Sequence, residues 1–146
     1  MIITSAAFKH KSKIPSKYTC DGENINPPLE LSGISRETKS LVLIMDDPDA
    51  PSKTWVHWVV YNIDPSATKI EENSVPSGGV EGLTDFGSKG YGGPCPHSGT
   101  HRYFFKLYAL GRTLDAPEGL TKRQVLENMD GHVLDETELM GLYSKK

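Results

Sequence analysis

Hydrophobic positions in this chain gather in a few short stretches set between polar segments rich in Gly and Pro. Ser40-Leu-Val-Leu-Ile-Met45 is an apolar run closed by Asp46-Asp47-Pro48, the pattern of a buried strand running into a turn with Asp47 at its exit. From Thr54 to Ile63 the residues alternate, placing Trp55, His57, Val59, Tyr61 and Ile63 on one expected face and Val56, Trp58, Val60 and Asn62 on the other. Both faces are largely apolar, so this strand is expected to be central. His101 to Leu110 repeats the alternation, with His101, Tyr103, Phe105, Leu107 and Ala109 opposite Arg102, Phe104, Lys106, Tyr108 and Leu110. One helix is signalled: Thr121 as N-cap, Gln124 as its capping-box partner, Val125, Leu126 and Met129 as the apolar positions, and Gly131 as the stop. The tail from Val133 to Tyr143 mixes apolar and acidic residues and predicts a last strand. Between the strands, Ser74 to Thr100 is dense in Gly and Pro and predicts no regular element; an ordered loop of that length usually carries function.

Composition agrees with a mainly β chain. With 24% charged and 36% hydrophobic residues, 14 Gly and 10 Pro, the 146 residues fit one turn-rich domain over 1–146, not a disordered or fibrous chain. Sixteen cationic against 19 acidic side chains give a net charge of −3, and only Lys9, Lys11 and Lys13 cluster even loosely. A nucleic-acid footprint is therefore not expected. No apolar stretch reaches membrane-spanning length, and Met1 to His10 lacks a basic region followed by a long apolar run, so a cytoplasmic protein is expected. Cys20 and Cys95 are too few for a secreted disulfide scaffold and too far apart for a CxxC motif, and two free thiols are the expectation from spacing alone.

Candidate chemistry sits at the strand ends. Asp47-Pro-Asp-Ala-Pro51 with Trp55-Val-His57 behind it, and Gly93-Pro-Cys-Pro-His-Ser-Gly-Thr-His-Arg-Tyr103 further on, supply acid, imidazole and phenol groups that only a folded sheet can bring together. Singly, Asp47 reads as a turn residue capping the Pro48 bend and His57 as a hydrogen-bonded core histidine. Gly87-Ser-Lys-Gly-Tyr-Gly-Gly93 lacks the spacing of a phosphate loop. His97 and His101 are four apart with Gly99 between them and a strand after, so no metal site is expected from that pair, and no cofactor is expected. Cys95 with His57, His101 and Asp47 has the inventory of a Cys-His-Asp hydrolase, although Cys95 lies between two prolines with no helix after it to activate a thiol.

In their order and spacing, Asp47-Pro-Asp-Ala-Pro51, Trp55-x-His57, Gly93-Pro94 and His101-Arg-Tyr103 resemble the phosphatidylethanolamine-binding protein family, also called Raf kinase inhibitor proteins. Ile14-Pro-Ser-Lys-Tyr-Thr-Cys-Asp-Gly22, Asn26-Pro-Pro-Leu29, Met129-Asp-Gly-His-Val133 and Glu138-Leu-Met-Gly141 resemble its shorter bacterial and archaeal branch. The resemblance implies a Greek-key β-sandwich with one or two short helices and a shallow anion pocket. Asp47, His57, Gly93, Pro94, His101 and Tyr103 are the ligand residues it carries over, with Ala50, Pro51, Trp55 and Cys95 as walls. It also implies a phosphate-type anion or phosphoethanolamine-like head group as ligand and a kinase or protease as protein partner, with a homodimer as a further candidate assembly. Cys95 departs from a proline common in eukaryotic members. Because Cys20 and Cys95 both lie in motifs of the short branch, the resemblance also implies that they are neighbours able to form a redox-dependent disulfide.

Physical chemistry supplies a mechanism for such a pocket. Two imidazoles beside a carboxylate are expected to be protonated and to hold an anion, with Tyr103 and backbone N–H groups around Gly93 as neutral donors. Asp47 would accept from a ligand ammonium or orient a histidine. The competing expectation is a hydrolase using Cys95, or a water activated by His57 or His101 with Asp47.

Overall fold

The apolar run becomes the middle of a five-stranded antiparallel sheet in the computed structural model, which describes residues 1–146. In chain order the strands are β1 (Ile2–Thr4), β2 (Leu29–Ser32), β3 (Ser40–Asp47), β4 (Trp55–Ile63), β5 (Lys69–Ile70), β6 (Val80–Glu81), β7 (Thr100–Leu110) and β8 (Val133–Ser144), with helix α1 (Lys122–Met129) between the last two. The large sheet runs β6-β4-β3-β7-β8, and a small antiparallel sheet runs β1-β2-β5. All eight residues of β3 are buried, as a strand covered on both faces must be.

Two apolar layers flank the large sheet. Leu41, Leu43, Met45, Trp58, Val60, Tyr103, Phe105 and Leu107 pack against Ile3, Leu29, Leu31 and Ile70 of the small sheet, making the sandwich core. On the other face Val42, Ile44, Val56, Val59 and Tyr61 pack beneath Leu114, Val125 and Met129. Helix α1 begins as its sequence predicts: the Thr121 side chain accepts from the Gln124 backbone N–H, and the Gln124 side chain accepts from the Thr121 N–H at 2.9 Å. On this face the buried Asp46 carboxylate accepts from Lys106 Nζ at 3.1 Å and Lys122 Nζ at 2.7 Å, tying β3, β7 and α1 together.

Three expectations need correction. The Ser74 to Thr100 segment does contain a regular element, because Val80 and Glu81 pair with Tyr61 and Val60 as β6. Strict alternation along β4 also fails. Asp46 pairs with Val56 but Met45 with Trp58, so His57 is an extra residue in a bulge and shares the sandwich side with Trp58. A second irregularity at Asn62, whose φ is 59°, returns Ile63 to the sandwich core, while Val59 and Tyr61 face the helix layer. Finally, Cys20 and Cys95 are not free thiols: they form a disulfide with Cα atoms 5.4 Å apart, the neighbourhood that the resemblance implied. With the thiols bonded, cysteine chemistry no longer argues for a reducing compartment. No helix is long and apolar enough to cross a membrane.

Candidate functional site

Each polar side chain of the site is delivered by a strand end or a clamped loop. Asp47 is the last residue of β3 and pairs with Trp55 at the start of β4. One carboxylate oxygen accepts from the Asp49 N–H at 2.7 Å, which closes the Pro48 turn, and the other accepts from His101 Nδ1 at 2.7 Å. Each oxygen thus accepts one hydrogen bond within the protein, and the second of these ties the carboxylate to the His101 ring.

The bulge aims His57 into the site. Its Nδ1 lies 2.7 Å from the Gly92 carbonyl, and the Gly92 N–H donates to the His57 carbonyl at 3.0 Å, so ring and backbone hold one glycine from two sides. A Cβ on Gly92 would lie 2.4 Å from the Phe86 ring, which packs directly over it. Phe86 in turn meets His57 edge-on with centroids 5.3 Å apart, and Trp55 at 5.6 Å. The turn carrying Phe86 is fixed to β4 by Asp85, whose side chain accepts from the Val56 N–H at 2.7 Å and from Lys53 at 2.9 Å. Tyr103 of β7 stands between the imidazoles, 5.2 Å from His57 and 6.3 Å from His101 by ring centroid.

These groups line one cavity of about 420 Å³ together with Ala50, Pro51, Cys95, Pro96 and His97. Asp47, His57, His101, Tyr103, Ala50, Pro51, Trp55 and Cys95 are therefore brought together as the sequence predicts. Gly93 and Pro94 are not in the lining. The Gly93 N–H donates to Asn24 Oδ1 at 2.8 Å, and the Pro94 carbonyl accepts from the Cys20 N–H at 3.1 Å, so both attach the loop to the segment before β2. Gly93 is also sterically required, since a Cβ there would lie 2.3 Å from the Tyr18 carbonyl oxygen. Sequence reasoning missed Phe86, Pro96 and His97 as lining residues. They sit in the Gly- and Pro-rich segment, where no periodicity assigns a direction.

Electrostatics alter one expectation. Burial pulls the His57 pKa below the ordinary histidine value, outweighing the Gly92 hydrogen bond and the field of Asp47 that push it up. His57 is therefore a neutral imidazole around neutrality, contrary to the doubly protonated pair expected from the nearby carboxylate. Burial, with Asp47 adding to it, raises the Tyr103 pKa, so the phenol stays protonated. Beside the site, Arg102 grips Asp49 through two side-chain contacts of 2.9 Å and holds that carboxyl at about 2. Cys95, bonded to Cys20, offers no thiolate in this structure.

A β-sandwich with a histidine-flanked cavity at its strand ends is the class that fold and site define together. The chain matches the family described as phosphatidylethanolamine-binding protein over residues 4–144, and it belongs to that family. It is 55% identical over 150 residues to a UPF0098 protein of Methanothermobacter thermautotrophicus, and 47% identical to one from Chlamydia trachomatis serovar D, each alignment covering 99% of both chains. Among solved structures it is similar to a putative phosphatidylethanolamine-binding protein homologue, CT736, of Chlamydia trachomatis, with TM-score 0.95, 46% identity and coverage of 99% of this chain and 97% of that one. It is also similar to Escherichia coli YbcL, described as a new member of the mammalian PEBP family, with TM-score 0.91, 30% identity and coverage of 99% and 98%.

Proposed function

We propose that this protein is a binding module for small phosphate-type oxyanions, held in the cavity between Asp47, His57, His101 and Tyr103. The observation that carries this reading is the Asp47–His101 pair beside the Tyr103 hydroxyl, an oriented imidazole and a phenol that burial keeps protonated around neutrality, on one side of a cavity sized for a head group. Cys95, bonded to Cys20, supplies no thiolate nucleophile to the cavity. For a phosphoethanolamine-like ligand, the ammonium end would meet the aromatic wall of Trp55 and Phe86. Modulation of a kinase or protease, implied by the family resemblance, would run through the mouth of the same cavity. A homodimer and a cytoplasmic location belong to the same proposal.

Titration calorimetry with inorganic phosphate tests the reading. Removing a charge-assisted hydrogen bond costs about 1.5–3 kcal/mol, so His101→Ala should weaken binding roughly tenfold to hundredfold, with Tyr103→Phe weaker than the parent as well. Affinity in His101→Ala within twofold of the parent protein would refute it.

A further inference from the structure

The loop that leads into Gly92 and Gly93 also walls a second cavity, of about 230 Å³, which shares no lining residue with the strand-end cavity. Glu81 of β6 is its one charged side chain. The indole N–H of Trp58, a side chain only 1% exposed, donates to Glu81 Oε2 at 2.9 Å, so the carboxylate is held in place from the core. Its Oε1 accepts nothing within the protein. Among the other buried and half-buried acids, Asp46, Glu72 and Asp85 each pair with a lysine, Asp47 pairs with His101, and Asp21 takes the Tyr143 hydroxyl and the Lys146 N–H. Glu81 has the indole alone. The lysines of the flanking segments, Lys17 and Lys69, are taken up by Glu72 and Glu71.

Hydrogen bonds also fix the walls around that carboxylate. Buried Asn26 ties down the turn that closes one side: its Nδ2 donates to the Glu71 carbonyl at 3.0 Å, its Oδ1 accepts from the Ser74 N–H at 2.9 Å, and its carbonyl accepts from the Asn73 N–H at 3.1 Å. The Tyr91 hydroxyl is spent on the Tyr18 carbonyl, and the ring meets Trp58 edge-on with centroids 5.5 Å apart, so Tyr91 offers the cavity carbon and π surface. Gly90, at φ 101°, lets the chain pass close to the acid, since a Cβ there would lie 3.6 Å from Glu81 Oε2. Ile25 and Val75, the latter 48% exposed, add apolar lining. A preoriented carboxylate beside an aromatic ring and aliphatic side chains fits a cation on a hydrocarbon stem, with the charged head at Oε1 and the stem along Tyr91, Ile25 and Val75. We propose that this second cavity binds an organic cation, the ammonium head of an alkylamine or of a lysine side chain. The site stands apart from the oxyanion reading and does not depend on it.

The chain's two tryptophans make the test direct, because the Trp58 indole N–H sits on Glu81 while Trp55 lines the other cavity. At pH 7, n-butylammonium chloride should shift the Trp58 indole N–H signal saturably in nitrogen-15 NMR and leave that of Trp55 still. Sodium chloride and n-butanol at the same concentrations should move neither saturably. Glu81→Gln keeps an oxygen for the indole and removes the charge, so n-butylammonium should bind about fivefold or more weakly, with a melting curve to verify folding. The comparison of cation with alcohol in the unsubstituted protein stands whether or not that variant folds. N-acetyl-lysine N-methylamide separates the two sources of the cation: binding as tight as n-butylammonium or tighter assigns the site to a protein lysine, and weaker binding assigns it to a free amine. A Trp58 signal that saturates with neither cation, a Trp58 shift that n-butanol reproduces, or an affinity in Glu81→Gln within twofold of the parent protein overturns the proposal.

Discussion

Reducing the Cys20–Cys95 bond releases a constraint between residues 75 apart, and the resulting loss of stability can be worked out. In the chain-entropy treatment, a loop of that length removes about 15 cal/mol/K from the unfolded ensemble, or roughly 4.5 kcal/mol at 25 °C. Residual structure in the unfolded state makes this an upper figure, and about 2–4 kcal/mol is the expected range. For a chain of this size each kcal/mol moves Tm by about 2–4 °C, so reduction should lower Tm by roughly 10 °C. Cys20 is exposed, which gives a reductant access. The cavity wall should survive, because the segment around Cys95 is also held by Gly93 on Asn24, by Pro94 on Cys20, and by the Tyr91 hydroxyl on the Tyr18 carbonyl at 2.7 Å. Thermal melts with and without reductant, with alkylation and mass spectrometry to verify complete reduction, check this. A fully reduced protein melting within about 2 °C of the oxidised one would refute the reasoning, and Cys20→Ser with Cys95→Ser should reproduce the reduced curve.

Two further outcomes follow from the charged groups. Asp46→Ala leaves Lys106 and Lys122 facing each other without their shared carboxylate, and since Asp46 is fully buried the loss should be about 3 kcal/mol by urea denaturation; a change under about 1 kcal/mol would contradict a structural role for the Asp46 ion pairs. Arg102 holds Asp49 below its ordinary value, so that pair contributes stability above pH 3.8 that is lost as pH falls toward about 2. In Arg102→Gln the Asp49 carboxyl should titrate closer to 3.8 by carbon-13 NMR, and an unchanged midpoint near 2 would refute the assignment.

The long elements were legible because their patterns are strong. An unbroken apolar run gave β3, alternation gave β7, and the Thr121–Gln124 capping box marked the start of α1 to the residue. Strands of two to four residues such as β1, β2, β5 and β6 are too short to show a period, and the last two of these are made only by their partners. The bulge at His57 was invisible for a different reason. Alternation read straight through it puts His57 with Val59 and Tyr61, whereas the inserted residue turns Trp58 to its side. Site residues on strand ends were readable as polar groups where a core pattern stops; Phe86, Pro96 and His97 were not, because only the closed loop decides which way they point. The protonation of His57 was misjudged by considering Asp47 without the burial that outweighs it.

Nitrogen-15 NMR of the histidine rings during phosphate titration tests the central claim most directly, because it reports protonation and contact at individual ring atoms. The account predicts that free His57 is a neutral ring protonated on Nδ1, and that phosphate shifts His57 Nε2 and the His101 ring saturably while His10 and His132, outside the cavity, stay still. Saturable shifts that bypass both His57 and His101, or a free His57 protonated on Nε2, would contradict it.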